Sequence, residues 1–130
     1  MKRPEFFSFR ELVRTDTGLP NVPTWEQAKN LNRLGLFLDW VRRLYGGPIR
    51  VNSGFRSPEV NRAVGGVNSS AHLKGLAADI CADNMDRLFL CLESFTGRIE
   101  GLGIDQLIVY PKFVHVGLSE NPRRQVIVKK

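Results

Sequence analysis

The 130-residue chain has the length of one domain, and 42% hydrophobic with 25% charged residues is the balance of a globular protein with a real core. That balance excludes a disordered chain and a disulfide-stapled miniprotein, and residues 1–130 are expected to fold as a single domain. Nineteen Lys and Arg against 13 Asp and Glu give a net charge of +6, spread along the chain except for a basic end at Arg123, Arg124, Lys129 and Lys130. The charge suits an anionic polymer, whether nucleic acid, anionic lipid or bacterial wall, without choosing among them.

No apolar run reaches the ~20 residues of a membrane span. The start, Met1-Lys2-Arg3-Pro4-Glu5 followed by Phe6-Phe7-Ser8-Phe9-Arg10, is too short and too charged for a signal-peptide core. A chain made in the cytoplasm, without membrane insertion, is therefore expected. Cys81 and Cys91 form no C-x-x-C pair and are expected as buried thiols.

In chain order, Ser8-Phe9-Arg10-Glu11 is a capping box that predicts a short helix to about Arg14, followed by a loop from Thr15 to Pro23. Thr24-Trp25-Glu26-Gln27 is a second capping box, and Leu31, Leu34, Leu38, Val41 and Tyr45 recur at helical spacing until Gly46-Gly47-Pro48. This predicts the main core helix. Ile49 to Asn52 alternates as a short strand, and Ser57-Pro58-Glu59 starts a second short helix that ends at Gly65-Gly66. Leu76 to Cys81 is a small-residue strand. Asp83 or Asn84 caps a helix whose Met85, Leu88, Leu92 and Phe95 make one apolar stripe. Strands at Gln106–Tyr110, Phe113–Leu118 and Gln125–Val128 close the chain, the first two joined by a Pro111-Lys112 turn. Helices first and strands mostly last predict an α+β fold with a small antiparallel sheet and helices packed on it.

The chain has two histidines, in Ser70-Ala71-His72-Leu73-Lys74-Gly75-Leu76-Ala77-Ala78-Asp79 and in Phe113-Val114-His115-Val116. A catalytic zinc takes three protein ligands of N or O type and keeps one position open for water. His72, Asp79 and His115 can supply them. Asp79 falls in a strand, and Lys74-Gly75 turns the chain between it and His72. Alternation puts His115 on the opposite strand face from Val114 and Val116. The plainer reading of each histidine is a satisfied core or surface residue.

Ser53-Gly54-Phe55-Arg56-Ser57-Pro58, then Asn61, Gly65-Gly66, Ser70-x-His72-x-x-Gly75-x-Ala77-x-Asp79 and Val114-His115-Val116 closely resemble the M15 family of zinc peptidases, which cleave bacterial peptidoglycan peptides. The resemblance runs from about Phe7 to Leu118 and is greatest to the short D-alanyl-D-alanine carboxypeptidase branch of phages and prophages. It implies the D-Ala-D-Ala carboxypeptidase/hedgehog-like fold, Zn2+ held by His72, Asp79 and His115, and a substrate peptide held by Arg56 and Ser70. Arginine suits that role, because its planar fork bonds a carboxylate in bidentate fashion.

The sequence departs from the family at Lys112, three residues before His115, where known members carry the acid that accepts the water's proton. Asp105 is assigned the base, with Tyr110 and Glu120 as the other nearby groups; a turn-capping role for Asp105 is as plain a reading.

The expected activity is a D-Ala-D-Ala carboxypeptidase acting on stem peptides as a monomer. An L,D- or D,D-endopeptidase of endolysin type and an attenuated wall-binding relative stand beside it. A nucleic-acid binder lacks a clustered basic helix-turn-helix, zinc-finger spacing or a stacked aromatic signature. Action at the wall without a signal peptide implies release by lysis, a holin or a virion.

Overall fold

The computed structural model describes residues 2–129, so Lys130 of the basic end lies outside the described residues. Ser8 caps α1 (Phe9–Val13), and Thr24 caps α2 (Trp25–Tyr45); both capping boxes form. α2 ends at Gly46, whose left-handed backbone closes the last turn. Short α3 (Pro58–Ala63) starts at Ser57, and α4 (Met85–Ser94) starts at Asn84. The strands are β1 (Arg50–Ser53), β2 (Ala77–Cys81), β3 (Gly103–Val109), β4 (Val114–Ser119) and β5 (Gln125–Val128).

Strand order is β1-β2-β4-β3-β5. One sheet face sends Ala78, Ile80, Val114, Val116 and Leu107 into a buried core with Leu34, Phe37, Leu38 and Val41 of α2 and Leu88 and Leu92 of α4. Alternation leaves the opposite face to Asp79, His115 and Gly117, and Asp79 lies directly across from His115 in the β2–β4 ladder. No helix among the described residues is long and apolar enough to cross a membrane. Both cysteines are free, Cys81 buried and Cys91 partly so.

The expected α+β class is found, but the sheet is mixed and not wholly antiparallel. β5 pairs with β3 in parallel, from Gln106↔Gln125 to Val109↔Val128. The reason lies in the link from β4. The chain leaves Ser119, which pairs with Gly103 at the start of β3, and crosses that end of β3 with Pro122 against Gly103. It then turns back, so β5 opposes β4 and parallels β3. Asp105 secures the crossing by accepting from the backbone N–H and the guanidinium of Arg123.

A one-turn 3-10 helix, Ala71–Lys74, carries His72 ahead of β2. Gln27 and Asn30 of α2 clamp it by donating to the carbonyls of Leu73 and Lys74, both at 3.0 Å. Gly75 follows with φ 76°, and a Cβ there would stand 2.7 Å from the Gln27 carbonyl oxygen. Gly75→Ala should therefore cost on the order of 1–3 kcal/mol, read as a lower midpoint in chemical denaturation. An unchanged midpoint would show that the turn relaxes without cost.

Candidate metal centre

Ser70 caps the 3-10 turn, its Oγ accepting from the His72 N–H at 3.2 Å, and the turn presents the His72 ring to the sheet face that carries Asp79 and His115. His72 Nε2 lies 3.2 Å from Asp79 Oδ1 and 3.2 Å from His115 Nδ1, and His115 Nδ1 lies 2.9 Å from Asp79 Oδ1. The Nδ1 of His72 sits 2.6 Å from the Gly54 carbonyl oxygen. A carbonyl can only accept, so Nδ1 carries the hydrogen, and Nε2 of the neutral ring turns a lone pair toward the other two groups.

Three candidate ligand atoms thus converge on one point, where either a proton on a ring nitrogen or a cation must stand between them. Ligand bonds of ~2.0–2.2 Å at tetrahedral angles place neighbouring donor atoms about 3.3 Å apart, close to the separations seen here. The donor set, two imidazoles and one carboxylate, fits a divalent cation of zinc type.

Burial pushes the Asp79 carboxyl up. When they carry a proton, the His115 and His72 rings outweigh it through hydrogen bonds and charge and hold the group well below the usual carboxylate range. Asp79 therefore stays anionic, as a ligand must. Its second oxygen is held by Arg56 Nη2 at 3.3 Å, while Arg56 Nη1 donates to Asn61 Oδ1 and Nε to Ser53 Oγ. All three guanidinium nitrogens are engaged, which fixes the plane of the fork and leaves one N–H on each terminal nitrogen without a partner among these three.

The triad lies in a cleft of about 630 Å³ that Arg56, Ser70, Asp105, Tyr110 and Phe113 also line. Asp105 is the extra residue of a bulge in β3 between Ile104 and Gln106. The bonds from Arg123 outweigh slight burial and hold its carboxyl below the ordinary value. Tyr110 stacks on Phe113, centroids 4.5 Å apart. Glu120 is not part of the cleft lining and faces Arg33 at 3.4 Å, and Lys112 is exposed on the β3–β4 turn.

Several site contributors carried no role in the sequence reading. The Gly54 carbonyl sets the His72 tautomer, while Ser53 and Asn61 hold Arg56. Their signal was present in the Ser53-Gly54-Phe55-Arg56 word and in Asn61, but hydrogen bonds made by a backbone carbonyl leave no mark on residue type.

Three N and O donors on a largely buried face, with an open side toward a cleft, define a metal-dependent hydrolytic centre rather than a closed structural site. The family model for peptidase M15 matches residues 7–117, and the chain belongs to that family of metallopeptidases. No curated protein matches the chain.

Arg56→Ala should free the second oxygen of Asp79 and weaken zinc affinity about 10–100-fold in a competitive chelator titration, the usual effect of losing a partner that orients a ligand. Unaltered affinity would show that Arg56 does not position Asp79.

Proposed function

We propose that the protein hydrolyses a peptide bond in peptidoglycan stem peptides with zinc held by His72, Asp79 and His115, and that its principal activity is removal of a terminal D-alanine. The observation that carries this reading is the convergence of three lone-pair donors within 3.2 Å of one another at the floor of an open cleft. Zinc bound there supplies a Lewis acid for the scissile carbonyl and lowers the pKa of its water toward ~7.

The chain's own residues supply the rest. Arg56 holds Asp79 and, lining the cleft with a guanidinium, is the cation we assign to a substrate carboxylate. The Ser70 oxygen accepts from the backbone N–H of His72, so its own hydroxyl hydrogen is free to donate to a substrate carbonyl. Among the described residues Asp105 is the one carboxylate lining the cleft besides Asp79, and it is the residue we assign to accept the water's proton. Its bonds to Arg123 weaken it as a base, a setting suited to slow turnover. The basic surface favours approach to an anionic wall, which the chain would reach through lysis, a holin or a virion.

Alanine at His72, Asp79 or His115 should each abolish stoichiometric zinc, measured by mass spectrometry of the metal after dialysis. Retention by all three variants would remove the site as drawn.

Digestion of purified muropeptides by zinc-loaded protein, beside a chelator-stripped sample, tests the activity. Zinc-dependent loss of a terminal alanine is expected. A cut within the stem would instead make the protein an endopeptidase, and intact muropeptides despite bound zinc would make it a wall-binding relative. In the same assay Asp105→Asn should lower kcat/KM by roughly 10²- to 10⁴-fold with zinc content unchanged. Full activity in that variant would remove Asp105 from the reaction.

A further inference from the structure

α2 has work on two opposite sides. Gln27 and Asn30 reach the turn that carries His72, whereas Trp25, Ala28, Lys29 and Asn32, roughly half a turn around the helix, border a groove shared with α1. The groove has a volume of about 630 Å³, within the ~300–1,000 Å³ range of ligand cavities, and shares no lining residue with the zinc cleft. Its shape is fixed by the strap that precedes α1. The buried Asp39 of α2 accepts from the Glu5 and Phe6 N–H groups at 2.7 and 2.9 Å, and Asn32 donates to the Lys2 carbonyl at 2.8 Å. A carboxylate that the zinc chemistry does not use thus holds the groove in shape before any ligand arrives.

The lining mixes two chemistries. Its floor is apolar, from Phe7, Leu12 and Ala28, and two large aromatics stand at its rim in solvent, Trp25 at 73% and Phe9 at 54% exposed. Exposed rings beside a concave apolar surface mark a contact site. The polar part consists of two cations, Arg3 and Lys29, with Ser8 and Asn32, and among the described residues no carboxylate lines the groove. Neighbouring acids are engaged elsewhere, Glu5 with Arg43 at 3.0 Å and Glu11 with its own cap at Ser8. Glu26 stands 3.9 Å from Lys29, but both side chains are in solvent and the pair is worth little.

We propose that this groove binds the glycan strand of the wall, a chain of N-acetylated amino sugars with carboxylate substituents, away from the bond being cut. The mixed lining selects this occupant. An acyl chain needs an unbroken apolar wall, whereas a pyranose ring offers one flat C–H face to an aromatic ring and a rim of hydroxyl and amide groups to side chains such as Asn32 and Ser8. The acetyl methyls suit the apolar floor. The carboxylates suit Arg3 and Lys29, which meet no competing anion inside the groove. The proposal rests on the reading above that the wall is the substrate. It adds a second hold on the same polymer, which raises the local concentration of stem peptides at the zinc cleft.

The chain's two tryptophans make the test direct. Trp40 lines a different, smaller cavity, so Trp40→Phe leaves Trp25 as the only indole reporter. The zinc-loaded Trp40→Phe protein should show a saturable change in indole emission with two probes, the neutral tetramer of N-acetylglucosamine and peptide-free wall glycan bearing lactyl carboxylates. The acidic glycan should bind about tenfold more tightly, the effect of one added charge-assisted contact. In that background Lys29→Gln should erase most of the preference, and Phe9→Ala should weaken both probes severalfold. Equal affinity for the two probes, or no saturable change with either, overturns the proposal. A response to phosphatidylglycerol vesicles alone also overturns it and assigns the groove to a membrane surface. Neither glycan carries a stem peptide, so intact muropeptides would count against the hydrolytic reading while these affinities still decide on the groove.

Discussion

The register of β2 against β4 is the constraint on which the centre depends. Ala78, Ile80, Val114 and Val116 are fully buried against α2 and α4, and a period of two then sends Asp79 and His115 to the other face, directly opposite one another. A slip of one residue would drive an imidazole and a carboxylate into the core and expose valines to the cleft. The apolar side of the sheet, with several fully buried side chains each worth roughly 1.5–3 kcal/mol, therefore fixes the geometry of the polar side. Two of the three donors are aligned by core packing and need no contact of their own to find each other.

The third donor has no such guarantee and is held by hydrogen bonds instead. His72 rides on a single 3-10 turn, clamped from α2 by Gln27 and Asn30, bounded by the left-handed Gly75, and steered by the Gly54 carbonyl. Gly54 is itself pinned where α1 meets the β1–α3 link, since Phe55 N–H donates to the Leu12 carbonyl at 2.8 Å and a side chain at Gly54 would overlap that carbonyl. The N-terminal helix, which contributes no donor, thus sets the orientation of one. The matched family region, residues 7–117, includes this helix.

What could be read from the sequence follows the same division. The helices were legible because capping boxes at Ser8 and Thr24 and the Leu31-to-Tyr45 spacing are local signals, and α1, α2 and α4 form within a residue or so of their expected bounds, whereas β3 starts at Gly103, three residues before the expected Gln106. The triad was legible chiefly through the Ser70-x-His72-x-x-Gly75-x-Ala77-x-Asp79 word and its resemblance to the M15 family, with alternation placing His115 away from Val114 and Val116. The parallel pairing of β5 was not, since it is decided by which edge the link after Ser119 crosses, and no residue type records that choice. The bulge that singles out Asp105 was equally hidden, as it is a mismatch between two strands rather than a property of either.

On the proposed assignment of Asp105 as the base, fold and chemistry compete for one side chain. Its carboxylate takes three bonds from Arg123 that hold the crossing into β5, and the same bonds depress its proton affinity. A carboxylate placed by the β3–β4 turn, at the position of Lys112, would be free of that duty, because a hairpin tip is not needed to hold an edge strand. The chain has a lysine there, exposed, and has its cleft carboxylate on the strand that also anchors β5. On the base assignment proposed above, the Arg123 bonds set the basicity of Asp105, and the crossing into β5 is thereby coupled to the chemistry of the cleft.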